Sequence, residues 1–387
     1  MTRVAVRQGG FLTIVQDSGR WGREHWGVPV NGYLDELAAQ WANWLLGNPL
    51  DAAVLEITAA GPELEVLEDG PLAWAGADFP VQIDGVAWPP GESRVVARKS
   101  RIRFGYRKKG LRCYLAFPGG ICVPKVMGSR ATDLASGIGG YDGRALRPGD
   151  EIASTVANAL LRRTLRRTVR TGRILRVVPG TRPERLPAGS LTRLLTAEFR
   201  VSKDSSAMGL RLTGSSLGHP RGDWPSEGMA IGAVECPPSG EPLVLLKNRG
   251  SIGGYPVVAH VIRADWPVLA QLGPEDSVSF ALVDHETAHA AVVELFAGIG
   301  SPAVTRTVPT PAPWAGLMRR RDVYGRTLAD AGDWVERGQL IGILESLGQS
   351  HPVVVDRPGL ILDMVGDGEL VQEGRILWTL TEEVLAP

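Results

Sequence analysis

From Val4 to Ser154 the apolar positions come in short runs, each ended by glycine or another turn residue. The runs include Ala53-Val54-Leu55-Glu56-Ile57, Val81-Gln82-Ile83, Arg94-Val95-Val96-Ala97, Ile102-Arg103-Phe104 and Cys113-Tyr114-Leu115-Ala116-Phe117. Runs this short read as strands, and their close spacing predicts a barrel or a sandwich. One segment breaks the rhythm. Between Leu34 and Leu46 the residues Leu34, Leu37, Ala38, Trp41 and Leu45 share a helical face, and Gly47-Asn48-Pro49 stops the helix. A second β-rich block runs from Arg173 to about Phe280, opens with Ile174-Leu175-Arg176-Val177-Val178, and closes with a helix predicted near Thr287 to Phe296. The Thr- and Pro-rich stretch Ala303 to Pro313 then links to a tail. The pattern predicts a mainly β chain in three domains, at 1–155, 173–300 and 312–382.

Composition narrows the function classes. The chain has 387 residues, too many for one core, with 48 glycines, 28 prolines and 6% aromatics, in keeping with many strands joined by turns. Lys and Arg total 42 against 42 Asp and Glu, which argues against a nucleic-acid binder that works by counterion release. No stretch approaches a membrane span and the N-terminus lacks an export signal, so a soluble, cytoplasmic protein is expected. Cys113, Cys122 and Cys236 have no ligand-like spacing and read as reduced thiols. The basic run Leu161 to Arg170 reads as a solvated linker, with docking of an anionic partner as the alternative.

Several motifs carry chemistry on paper. His285-Glu286-Thr287-Ala288-His289 matches a zinc-protease pattern but has no third ligand nearby, so the polar first turn of a helix that packs through Ala291, Val292 and Leu295 is the simpler reading. No metal is expected. The glycine clusters Gly137 to Gly140 and Gly250 to Gly254 fit neither a P-loop nor a dinucleotide fingerprint and read first as turns. Polar residues also crowd between the strands, at Gln16-Asp17-Ser18-Gly19-Arg20, Gly128 to Leu134, Ser226-Glu227-Gly228, Lys247-Asn248-Arg249 and Gly253 to Pro256. Such groups either form a site or satisfy one another.

The tail resembles a biotinyl/lipoyl carrier domain from about Ala312 to Leu380, through Gly332 to Gln339, Pro358-Gly359 and Gly366 to Gly374. In such carriers a hairpin presents one lysine. Here the hairpin reads Glu345-Ser346-Leu347-Gly348-Gln349, with Gly348 at the lysine position. Glycine has no amine to acylate, so no covalently bound cofactor is expected and any biotin must arrive in trans.

The ordered motifs VQDSGRWG, GVPVNGYLD, ANWLLGNP, LEIT, GADF, MGSRATDL, MGLRLTG, SEGMAIGA and GGYPVVAHVI, between Val4 and Ala297, resemble the allophanate-hydrolase subunit 2 family. That family includes the C subunit of bacterial 5-oxoprolinase and the carboxyltransferase part of urea carboxylase. The resemblance implies tandem β-barrels, the second cyclophilin-like, and a heteromer with a homologue of the oxoprolinase B subunit and, in the oxoprolinase case, with the A subunit too. It further implies a small amide or lactam substrate, with ATP acting at the level of the complex. The chain departs from the family's pattern in the second barrel. It has Ser205-Ser206-Ala207-Met208-Gly209 where an acid and an arginine are usual, Glu235 for a glutamine, and Asn248 for an aspartate.

Chemistry and family position together nominate Gln16, Asp17 and Arg20 for positioning or proton transfer, with Arg130 and Asp133 as a charge pair at the first barrel's mouth. Asp17 has the alternative of capping its own turn. Glu227, Glu235, Lys247, Asn248 and Tyr255 are the candidates for binding substrate in the second barrel. Three functions stay open. The chain is a 5-oxoprolinase-like component, or a carboxyltransferase component fed with carboxybiotin in trans, or a non-catalytic regulatory or scaffolding homologue.

Overall fold

Leu64 and Val66 turn inward from the strand Glu63–Glu68 while its glutamates face outward, the alternation of a sheet with one face on a core. The structure, a computed structural model, describes residues 1–156, 172–218 and 224–297, and in the tail 306–311, 316–320, 328, 334–335, 339–346, 349–355, 359–365, 367–372 and 376–382. The basic run 161–170 lies outside the described residues. The chain divides into two compact units, Met1–Leu295 and Phe296–Pro387.

The first unit begins with two antiparallel sheets. One has the order Glu151–Ala153, Arg3–Gln8, Glu63–Glu68, Arg101–Phe104, Val81–Ile83, Val86–Ala87, and the other has Leu12–Gln16, Val54–Thr58, Lys109–Ala116, Gly70–Asp78, Glu92–Val96. Both contribute to one core, in which Trp74 meets Trp88 and Phe104 edge-on at 6.5 and 5.8 Å. Helix α1, Glu36–Trp44, begins where the Asp35 carboxylate accepts the Ala38 amide at 3.0 Å. All five apolar positions predicted for its inner face are buried.

The second part of this unit is a closed seven-stranded barrel, in order Ile174–Pro179, Val257–Val261, Ala233–Glu235, Leu243–Leu245, Gly209–Thr213, Phe199–Val201, Ser277–Leu282. The ring closes through a parallel pairing of its first and last strands, Ile174 beside Ser279. Helices α2, Ser190–Thr196, and α3, Trp266–Gln271, help cover its core. A short ribbon pairs Glu227–Gly228 with Ile252–Gly253. Helix α4, His285–Ala297, follows the last strand, its first turn capped by Asp284, which accepts the Thr287 amide at 2.7 Å.

A buried polar lock joins barrel to sandwich. The Gln271 side-chain amide, at the end of α3, donates to Asp35 Oδ2 at 2.6 Å and to the Arg112 carbonyl at 3.0 Å, while its oxygen accepts the amides of Leu111 and Arg112 at 2.8 and 3.0 Å. Arg112 lies 3.8 Å from Glu56, whose other oxygen accepts the Tyr114 hydroxyl at 2.8 Å. Buried where water cannot substitute, the network fixes the barrel's orientation.

The second unit holds two four-stranded sheets, in order Arg306–Pro311, Ile376–Glu382, Gly359–Met364, Trp334–Val335 and Gln349–Val354, Leu340–Ser346, Gly316–Arg319, Leu370–Val371. Met318, Ile341, Leu344 and Leu377 lie in its core. Ser346 pairs with Gln349, and the two residues between them, Leu347 and Gly348, lie outside the described residues. Among the described residues no helix is long and apolar enough to cross a membrane.

Candidate functional site

The polar run of the first sheets folds into a tight loop knot. Gly19 and Gly32 both have positive φ, 103° and 85°, and their backbones touch; a Cβ on Gly32 would sit 2.8 Å from the Gly19 nitrogen. Only glycine allows that approach. Asp17 closes the knot by accepting the Gly19 amide at 2.9 Å, the Ser129 hydroxyl at 2.5 Å and the Arg130 amide at 2.5 Å. Of the two readings open for Asp17, this geometry is the cap.

Arg20 is buried. Its guanidinium donates to the carbonyls of Val126 and Ala131 and to Asn31, and burial pulls its pKa down against the nearby charges of Asp17 and Asp133. These bonds staple one loop to another. Gln16 donates to the Thr132 carbonyl at 3.1 Å. No ion pair joins Arg130 to Asp133 among the described residues. Arg130 Nε donates to the Val123 carbonyl at 2.8 Å, and Asp133 accepts the amides of Ala135 and Ser136 at 3.1 and 3.4 Å. The first-barrel candidates thus hold loops, and the expected charge pair is replaced by two local caps.

Lys247 joins this knot from the barrel. Its carbonyl accepts the Asn31 amide at 3.2 Å, and its ammonium lies 4.7 Å from the Tyr33 ring centre and 5.9 Å from that of Trp21. It is 2% exposed, and burial pushes its pKa down to about 8, so a substantial neutral fraction exists near physiological pH. Asn248, next along the chain, is half-buried and donates its backbone amide to the Ala207 carbonyl at 3.1 Å. Glu227 sits in the short ribbon opposite Gly253. It accepts the Trp224 indole at 3.3 Å and stands 3.9 Å from Arg182.

Glu235 and Tyr255 come together in a cavity of about 380 Å³ on the barrel. Buried Glu235, Arg249, Met229 and Leu245 form its inner wall, and exposed Asp204, Arg211, Met208, Ile252 and Tyr255 form its rim. Gly250, Gly253 and Gly254 also line it, which gives the second glycine cluster a place. A Cβ on Gly253 would come within 3.2 Å of a Glu235 oxygen and 2.9 Å of Met229, so glycine keeps this wall open. Glu235 is 4% exposed, its carboxyl makes no hydrogen bond among the described residues, and burial pushes its pKa up to about 7. A carboxyl so poised holds and releases a proton at neutral pH. Arg249 is 7% exposed and uses Nε on the Met229 carbonyl at 2.7 Å.

Relatives give this arrangement a context. A family model described as "Carboxyltransferase domain, subdomain A and B" matches residues 26–282. The chain belongs to the carboxyltransferase domain family, subdomain A and B. It is similar to the C subunit of 5-oxoprolinase from Escherichia coli, at 34% identity over 73% of this chain and 92% of that one. The solved K. lactis urea amidolyase matches 77% of this chain and 20% of its own length at 26% identity, with a TM-score of 0.71. A 52-residue stretch, 13% of the chain, is 40% identical to the biotin/lipoyl attachment protein of Bacillus subtilis, covering 71% of it.

Within this carboxyltransferase domain, Arg249 is the group that sequence reasoning noted in a polar run but did not nominate. Lys247, Asn248 and Arg249 are consecutive polar residues, and nothing in the run says that the first turns to the junction and the third to the cavity. His285 and His289 are exposed at the start of α4, and no three His, Cys, Asp or Glu side chains among the described residues are grouped to hold a metal. Cys113 and Cys236 are buried, with burial pushing the Cys236 thiol up to about 11, so neither is an activated nucleophile.

Proposed function

We propose that this chain is one component of a heteromeric enzyme that acts on a small amide or lactam, as the name of its relative, the C subunit of 5-oxoprolinase, indicates for that protein. The observation that carries the reading is the barrel cavity. It has the volume and mixed lining of a small-molecule site, and its inner wall carries a buried carboxyl able to change protonation near neutrality. Similarity over 92% of the E. coli protein supports the same assignment. Partners of the oxoprolinase A and B kinds would supply the rest of the catalytic machinery, with ATP consumed by the complex. Co-expression with the products of neighbouring genes, followed by an assay for ATP-dependent release of glutamate from 5-oxoproline, tests it; a stable complex that releases none overturns it.

A carboxyltransferase reading is favoured by the likeness to urea amidolyase and by the stretch similar to a biotin/lipoyl attachment protein. In that case carboxybiotin would reach the chain in trans, since Gly348 offers no amine. Transfer of a carboxyl group from a separate biotinylated carrier to an amide acceptor would distinguish it.

A further inference from the structure

A second cavity, of about 390 Å³, opens where the sandwich meets the barrel, and it shares no lining residue with the barrel cavity. Lys109 lines it from the start of the strand Lys109–Ala116, and Arg173 lines it from the barrel, just ahead of the strand Ile174–Pro179. Both side chains are exposed, and neither has an ion pair or a side-chain hydrogen bond among the described residues. Arg107 brings a third cation to the margin. Its Nη1 donates at 2.8 Å to the carbonyl of Gly110, which lines the cavity, and its buried Nε has no partner. Among the described residues the lining holds one carboxylate, Asp276, whose Oδ2 is turned to the Gly273 amide at 2.8 Å. The chain as a whole carries 42 basic and 42 acidic residues, so this local excess is not a consequence of composition. Like charges gathered at a junction repel, and a junction built for stability alone would pair them with carboxylates. Gln271, on the inner wall, spends its whole side-chain amide on Asp35, Leu111 and Arg112. That leaves the cations and the Ser277 hydroxyl, which makes no hydrogen bond among the described residues, to meet a ligand.

We propose that this junction cleft binds phosphate groups, carried by a nucleotide or by a free polyphosphate, with Arg173 and Lys109 supplying the charge and Ser277 a hydroxyl donor. Arg173 matches two phosphate oxygens with parallel N–H donors, and Lys109 adds a mobile point charge. A cleft lined by one sign of charge between low-dielectric walls focuses the field and raises the local concentration of anions. Junctions between domains are also where small-molecule sites tend to lie, in cavities of roughly 300 to 1,000 Å³. A single phosphate fills only part of this one, which leaves room for a second phosphate or, against Val268 and Leu272, for the apolar part of a nucleoside. Occupancy also braces the fold. A phosphate held by Lys109 of the sandwich and Arg173 of the barrel ties together the two parts that Gln271 already locks, so the ligand should raise the temperature of unfolding.

Calorimetric titration of the full chain at low ionic strength, with ATP, pyrophosphate and inorganic phosphate as probes, tests the assignment. ATP or pyrophosphate is expected to bind and to raise the thermal midpoint, and added salt should weaken the binding. Lys109→Ala and Arg173→Ala should each raise the dissociation constant by about tenfold. Ser277→Asp, which places a carboxylate in the cleft, should raise it by about a hundredfold or more. Lys108→Ala removes a neighbouring exposed cation that does not line the cleft, and should leave the constant within about twofold. Thermal midpoints without ligand, expected to match the parent chain because Lys109 and Arg173 are exposed and unpaired, show that those variants are folded. Equal affinity for pyrophosphate and ATP supports the site with a free polyphosphate as its occupant, and tighter binding of ATP supports it with a nucleotide. Three results overturn the proposal: no binding of any probe, binding that Lys109→Ala, Arg173→Ala and Ser277→Asp leave unchanged, or binding that Lys108→Ala weakens as much as Lys109→Ala does.

Discussion

Replacing Glu235 with glutamine should stabilise the protein at alkaline pH and leave it unchanged in acid. In the unfolded chain this carboxyl titrates at its ordinary value of 4.5, and in the fold at about 7. Between those values the folded state holds a proton that the unfolded state has released. Raising the pH therefore removes stability progressively from about 4.5, and the loss is complete above about 7. At about 1.4 kcal/mol per pH unit the gap amounts to about 3 kcal/mol, and screening by water at the cavity mouth reduces it to about 2 kcal/mol. Glutamine keeps the shape and cannot ionise. Urea unfolding of the full chain and of Glu235→Gln, run in parallel from about pH 3.5 to about pH 8, should show a difference growing from near zero to about 2 kcal/mol in the variant's favour. A pH-independent difference, or a variant less stable at the alkaline end, refutes the argument that this carboxyl is buried without a partner.

Other perturbations have equally definite outcomes. Lys247 titrates in the fold at about 8 against an ordinary 10.5, so its cationic form costs stability below pH 8 and the cost disappears as the pH rises to 10.5. Lys247→Met should therefore gain about 1 to 2 kcal/mol near pH 7 in urea unfolding, after the lost contacts with Tyr33 and Trp21 are counted, and the gain should shrink toward pH 10. Gln271→Ala should cost about 3 kcal/mol or more, because it strands two buried backbone amides and the Asp35 carboxyl, and a depressed thermal midpoint would record it. Arg20→Met should lower stability more than it lowers turnover per folded complex, a split that unfolding and kinetics measured on one preparation would reveal. Gly348→Lys should make the chain a substrate for a biotin ligase, visible by streptavidin blotting, while leaving its native activity unchanged.

Much of the architecture was legible because strands and turns announce themselves locally. The inner face of α1 follows from apolar spacing alone, and the tight packing of Gly19 on Gly32 accounts for glycines that stood out in the sequence. Of the barrel or sandwich left open for the first strands, two sheets around one core formed. The site was legible only in part. Asp17, Arg20, Arg130 and Asp133 are polar residues at loop ends, and the same residue types serve catalysis or loop closure; which of these they do depends on partners more than a hundred residues away, such as Asp17 with Ser129. Lys247 and Arg249 diverge because a turn directs them to different sides of the barrel wall, a fact of tertiary packing that local pattern does not contain. Glu235 stood out by family comparison, and burial without a partner gives that difference its chemical meaning.

The most direct test of the central claim is product formation by the assembled complex. Given isotopically labelled 5-oxoproline and ATP, the complex should release labelled glutamate. No labelled glutamate from the complex would contradict the account.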